Sequence, residues 1–312
     1  MQDKPQFSTN TKLIVREYME ESTQPLTFDQ AYALYEQHLK ENGKAKATIL
    51  AYTKDVEQLG EYAQDQAKLT IDQINHDDIK QFQELLRKRR YTDKSISRKI
   101  NSIKSFFRFL VGEGALDSSP ATEISHPKIE LKPPRFLSKM EYRALRDACR
   151  GDARIFAIVE LLLQTGMRIS ELANLEMGDV DLERNIITIR AQKSREARKL
   201  PLNKPAKQAL MEYLRVRPKA REKSIFLTKT CKPFLVRNIR SAVNRCFALV
   251  GIKDATLNDL RNTFIVEQLK AGTPLVYISQ LVGHKRVTTT EKYLQLVENE
   301  LDDAPQVEIE EL

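Results

Sequence analysis

"RNIITIRAQKSREARKLPLN", residues 184–203, is where an otherwise helical chain changes period. Ile186, Ile187, Thr188 and Ile189 supply a β-branched run that leads into a polar, basic turn, the one clear β-hairpin of the sequence. "SIFLT" (224–228) has the composition of one further short strand. Upstream, "ARIFAIVELLLQTG" (153–166) is apolar on nearly all sides, which predicts a buried central helix. "SKMEYRALRDAC" (138–149) before it reads as a capped helix. Downstream of 235 the pattern is helical again. In "AGTPLVYISQLVGH" (271–284), Thr273 is placed to cap, Pro274 to enter the first turn and Gly283 to end the helix. The fold class that follows is mainly α with a small β-sheet.

The N-terminal third is helical throughout. "TFDQAYALYEQHLKENG" (27–43) opens with Thr27 and Gln30 in capping-box spacing and stops at Gly43. "KATILAYTKDVEQLGEYA" (46–63) and "HDDIKQFQELLRKRR" (76–90) read as two more helices. In "DKSISRKINSIKSFFRFLVGEG" (93–114), Ile96, Ile100, Ile103, Phe107 and Leu110 recur at steps of four and three, a helical stripe. Lys94, Arg98, Lys99, Lys104 and Arg108 are interleaved with it as a candidate nucleic-acid contact or an ordinary solvated face. "SHPKIELKPPRFLS" (125–138) carries three prolines and little helical pattern. The chain therefore divides into an extension at 1–24, a helical domain at 25–124, a linker at 125–136, a second, mixed domain at 137–297 and an acidic tail at 298–312.

The 312 residues are 41% apolar and 30% charged, an ordinary soluble composition. No apolar run spans a bilayer, and the N-terminus lacks a signal pattern, so no membrane partner is expected. Cys149, Cys231 and Cys246 form neither a disulfide framework nor a zinc spacing, which favours a reducing cytoplasm. Net charge is +8, but residues 291–312 hold eight acids and one base. The body is thus strongly basic, which fits a polyanion, DNA or RNA first, and equally fits a solvated surface.

Four stretches of the second domain hold polar residues that packing explains poorly. "TGMRISELANL" (165–175) places Arg168 at a helix start with Glu171 one turn on, close enough to orient the guanidinium. The hairpin turn holds Lys193. "LNDLRNTF" (257–264) flanks Arg261 with Asn258 and Asn262. "LVGHKRVTTTEKYLQL" (281–296) holds His284 and Tyr293. Each alone is most simply a surface or packing residue. Together they form a set: two arginines to hold a phosphodiester, a lysine to protonate a leaving alkoxide, a histidine to donate to phosphoryl oxygens and a tyrosine to attack phosphorus. No carboxylate or His/Cys cluster offers a metal site, which disfavours a metal-dependent nuclease.

The order "TGMRISEL", hairpin lysine, "NDLRNTF", "LVGH", "TTTEKY" resembles the tyrosine recombinase (phage integrase) family, and in size its Xer-like members. "SRKINSIKSFFRFL" resembles that family's core-binding domain. The resemblance implies a site-specific recombinase that cuts and rejoins duplex DNA through a 3′-phosphotyrosyl bond, without metal or nucleotide cofactor. It assigns phosphate clamping to Arg168 and Arg261, the general acid to Lys193, phosphoryl contact to His284, the nucleophile to Tyr293 and a supporting role to Glu171. It implies two domains that clamp DNA from opposite faces, a tetramer on two DNA sites, and exchange of the C-terminal segment between protomers. One box departs from the family's His-x-x-Arg: Asn258 stands where the histidine is usual. Asparagine donates a hydrogen bond but shuttles no proton near neutral pH. Deprotonation of Tyr293 would then fall to water or a phosphate oxygen, helped by a phenol pKa that Arg168 and Arg261 would lower. A type IB topoisomerase and a non-catalytic DNA-binding regulator on the same scaffold are the rival readings.

Overall fold

The computed structural model describes residues 25–129, 133–191 and 196–301. The chain forms two compact units that divide between Leu131 and Lys132.

Among its described residues the first unit forms four α-helices: α1 (Phe28–Glu41), α2 (Lys46–Asp65), α3 (His76–Lys88) and α4 (Asp93–Gly112). Thr27 and Gln30 close the expected capping box on α1, and Asn75 and Asp78 close another on α3. Gly43 follows α1 at φ +62°, a left-handed turn. The predicted stripe of α4 is fully buried, and α4 packs on α2. Tyr35, Phe82, Phe106 and Phe107 fill the centre of the core.

Lys99 corrects one sequence expectation. At about 100° per residue Lys94, Arg98 and Arg108 share a sector of roughly 80° on α4, and Lys99 falls on the far side, among the isoleucines. It is 5% exposed. Its ammonium donates to Asp55 Oδ1 at 2.8 Å and Gln58 Oε1 at 2.7 Å. Asp55 also accepts from Arg98 and from the Ser102 hydroxyl. A buried ammonium persists only when paired, so Lys99 holds the unit together and leaves the exposed basic face. Lys94 and Arg108 are exposed, and half-buried Lys104 donates to Thr122 O at 3.2 Å.

The second unit is built around α6 (Ala153–Thr165), which is covered by α5 (Lys139–Cys149), α8 (Lys204–Val216), α9 (Val236–Leu249) and α10 (Leu257–Lys270). The expected burial of α6 extends to its one acid: Glu160 is fully buried and paired with Arg146. Gly166 ends α6 at φ +61°, and a Cβ there would lie 2.3 Å from the Phe264 ring, so only glycine fits. A short α7 (Ile169–Ala173) follows. The hairpin forms from β2 (Ile186–Ile189) and β3 (Arg198–Pro201), antiparallel, with Ile187, Ile189 and Leu200 on the buried face. A two-residue β1 (Val180–Asp181) adds to β2, an edge too short for a sequence pattern. "SIFLT" joins no sheet; Ser224 and Leu227 make isolated bridges to Glu176 and Pro233.

The last described elements of the unit are α11 (Leu275–Val282), α12 (Thr288–Glu291) and α13 (Leu294–Leu301). Pro274, not Thr273, occupies the position before α11; the Thr273 hydroxyl donates instead to Gln268 at 3.0 Å. The cysteines are free, with Cys149 and Cys246 buried and Cys231 exposed. Among the described residues no helix is long and apolar enough to cross a membrane.

Candidate active site

The site grows from the turn at the end of α11. Gly283 takes φ +65°, which turns the Val282 and Gly283 carbonyls toward two arginines from distant segments. Val282 O accepts from Arg168 Nη1 at 3.1 Å and from Arg261 Nη2 at 2.6 Å. Gly283 O accepts from Arg168 Nη2 at 2.7 Å, and Gly166 O accepts from Arg261 Nη1 at 2.5 Å. One carbonyl shared by two guanidinia fixes the pair side by side. Arg168 precedes α7, and the Glu171 carboxylate returns to it, accepting from its backbone N–H at 2.8 Å and from Nη1 at 3.0 Å. Glu171 therefore orients the guanidinium as its spacing predicted.

Arg198, at the start of β3, was not singled out by sequence. It grips both oxygens of Glu171 at 3.0 and 2.7 Å and donates to Leu281 O at 2.6 Å. Burial alone would raise the Glu171 carboxyl, but Arg198 and the Arg168 backbone N–H hold it down at about 2. Three guanidinia thus face one carboxylate. Burial and the adjacent Arg168 push Arg261 down to about 9. The surplus positive charge suits a bound anion.

His284 leaves the same turn. Its Nδ1 lies 2.8 Å from the Thr290 hydroxyl. Burial, then Arg261, Arg168 and Arg198, push its pKa down to about 4, so the ring is neutral at pH 7. The sign of the linkage is fixed by that shift. As pH falls from 6.5 the unfolded chain takes up a proton that the folded chain refuses until about 4, so stability declines with acid. Between pH 6.5 and about 5 the melting temperature should fall more steeply for the native protein than for His284→Asn. Parallel curves would show that His284 is not held neutral.

Tyr293 sits between α12 and α13, 8% exposed, its ring part of the unit's apolar core. Its hydroxyl donates to Asn262 Oδ1 at 2.9 Å. Asn262 Nδ2 is in turn held by Arg135 O at 2.6 Å. The phenol corrects an expectation: burial raises its pKa, and Arg261 offsets that only in part. The sequence marks Asn262 only as a neighbour of Arg261; its contact with the tyrosine arises from packing of α10 against the segment that bears Tyr293, 31 residues away. Asn258 is exposed one turn earlier and donates to Asn262 Oδ1 at 3.3 Å. Together with Arg168, Arg240, Asn244 and Arg261 it lines an open groove of about 470 Å³. Lys193 lies outside the described residues, as do residues 302–312 of the acidic tail. Among the described residues no cluster of three His, Cys, Asp or Glu could hold a metal.

The profile of the phage integrase family matches residues 135–300, and that of the phage integrase N-terminal SAM-like domain matches residues 33–114. Tyrosine recombinase XerC of Roseiflexus castenholzii is 32% identical over 272 residues, 83% of this chain and 86% of that one. The crystal structure of XerA recombinase superposes with a TM-score of 0.51 at 27% identity, covering 90% of this chain and all of that one. A lambda integrase tetramer bound to a Holliday junction shares the fold, with a TM-score of 0.72 at 17% identity over 88% of this chain and 82% of that one. With a family profile over more than half its length and a relative similar across most of both chains, this chain belongs to the phage integrase family, that of the tyrosine recombinases.

Proposed function

We propose that this chain, a site-specific tyrosine recombinase, cuts and rejoins duplex DNA with Tyr293 as nucleophile. The observation that carries the reading is the Val282 carbonyl shared by Arg168 and Arg261, next in sequence to which Asn262 holds the Tyr293 hydroxyl. A scissile phosphate seated on the two guanidinia has its non-bridging oxygens neutralised as charge develops on them. Tyr293 Oη attacks phosphorus, the bond to the 5′ oxygen breaks, and a 3′-phosphotyrosyl link conserves the bond energy for religation. Neutral His284 contributes a hydrogen bond to a phosphoryl oxygen. Glu171 supports Arg168. Asn262 accepts the phenol's hydrogen bond in the resting state but is no base, so the proton leaves to water or to the phosphate.

The four-helix unit supplies further DNA contact through Lys94, Arg98, Lys104 and Arg108, with 125–136 as the linker. The lambda integrase tetramer on a Holliday junction supports a homotetramer on DNA; two DNA sites and exchange of the C-terminal segment between protomers are what the family resemblance implies. The test is incubation with nicked duplexes from the DNA flanking the chain's own gene, followed by peptide mapping of any covalent adduct. An adduct at residue 293 is expected; one at another residue, or none on any flanking duplex, would overturn the reading.

Two substitutions probe the proton transfers. Lys193→Ala should slow cleavage by roughly 10²-fold on ordinary DNA and recover on a 5′-bridging sulfur substrate, whose thiolate leaves without protonation. An equal defect on both substrates would remove Lys193 as general acid. Asn258→Ala should also lose roughly 10²-fold if its amide donates to the phosphate, and Asn258→His should keep activity. A native rate from Asn258→Ala would take that side chain out of the chemistry.

A further inference from the structure

Arg198 is 11% exposed and spends its donors on groups that themselves hold the site. Two go to the Glu171 oxygens that orient Arg168, and Nε goes to Leu281 O, one residue before the shared Val282 carbonyl. A Cβ on residue 283 would lie 2.9 Å from Nη1, so the guanidinium takes this place because residue 283 is glycine. Arg198 stands on β3, five positions after Lys193. It is thus the described link between the hairpin and the phosphate clamp. A salt bridge needed only to neutralise Glu171 would be satisfied by Arg168 alone, which already contacts both oxygens.

We propose that Arg198 is a positioning residue for strand cleavage, fixing Arg168 through Glu171 and the Val282–His284 turn through the Leu281 carbonyl. The inference rests on the recombinase reading above. A planar fork gripping both oxygens resists rotation of the carboxylate, which a single ammonium does not. Loss of the fork lets Glu171 swing and Arg168 drift from the position where it meets the phosphate. Misplacement by about 1 Å is worth roughly 10²-fold in rate.

The test is single-turnover cleavage of a nicked duplex by the full chain, with Arg198→Met, Arg198→Lys and each combined with Glu171→Gln. Arg198→Met and Arg198→Lys should both lose roughly 10²-fold in rate while site binding stays near native. The defect should persist on a 5′-bridging sulfur substrate, because it acts on the clamp and not on the leaving group. The double variant should lose less than the sum of the two single losses, since the route through Glu171 is shared and only the route through the Leu281 carbonyl remains. Native rates in Arg198→Lys, additive losses in the double variant, or recovery on the sulfur substrate would each overturn the proposal. If Arg198→Met fails to fold, Arg198→Lys carries the same comparison. A native chain that forms no adduct would sink the recombinase reading instead. The Arg168 side-chain ¹⁵N resonance then decides the contact by itself: a shift in Arg198→Lys supports it, and an unmoved signal refutes it.

Discussion

Tyr293→Phe is expected to bind its DNA site as the native chain does and to form no covalent adduct. The ring is locked in the apolar core, so removal of one oxygen leaves its packing intact. The lost bond is the one donated to Asn262 Oδ1, which keeps its contact from Asn258. The stability cost should be about 1 kcal/mol, the usual net worth of one such bond. The kinetic cost is total, because Tyr293 supplies the oxygen that attacks phosphorus. The same contacts predict how the native enzyme behaves. Burial raises the phenol pKa and Arg261 lowers it only in part, so the resting tyrosine is a protonated donor parked on Asn262. To attack it must leave that bond, and its cleavage rate should climb with pH through the neutral range. An adduct of normal yield from Tyr293→Phe on a denaturing gel would remove the residue from the reaction. A large fall in melting temperature would show that its hydroxyl serves the fold instead.

What the sequence made legible follows from period and spacing. The hairpin, the buried α6 and the stripe of α4 are patterns of many residues, and each formed where the pattern lay. Arg168 and Glu171 are one helical turn apart, so their contact is local and readable. Lys99 was readable too: it stands three residues from Ile96 and four from Ile103, inside the stripe, but its charge outweighed its position. Arg198 and Asn262 were not readable, because their partners lie 27 and 31 residues away and no local rule joins them. The direction of the phenol pKa is hidden from the sequence for the same reason. Proximity to arginines was inferable from motif order, whereas the burial that opposes them depends on how the chain end packs on α10.

Arg261→Gln should lower the cleavage rate by roughly 10³-fold, the upper scale for removing one preorganised donor from a transition state. The size follows from three things that this guanidinium does at once. It carries a full charge only 6% exposed to solvent, where its attraction for a phosphate is poorly screened. It is pushed down to about 9 by burial and by Arg168, so the unliganded site lacks a counter-charge that a phosphodiester would supply. It also bridges Gly166 O and Val282 O, tying the α6 terminus to the turn that bears His284. Glutamine removes the charge and leaves one carbonyl without its donor. Arg261→Lys separates these effects: the charge stays, but one ammonium cannot reach both carbonyls and the phosphate with the geometry of the fork. If charge dominates, lysine should recover most of the rate; if the bridge dominates, lysine should be nearly as slow as glutamine. The shared Val282 carbonyl favours the second outcome, because moving it also moves Arg168. Single-turnover cleavage by the three proteins on one nicked duplex decides between them. A native rate from Arg261→Gln would place the phosphate elsewhere in the groove.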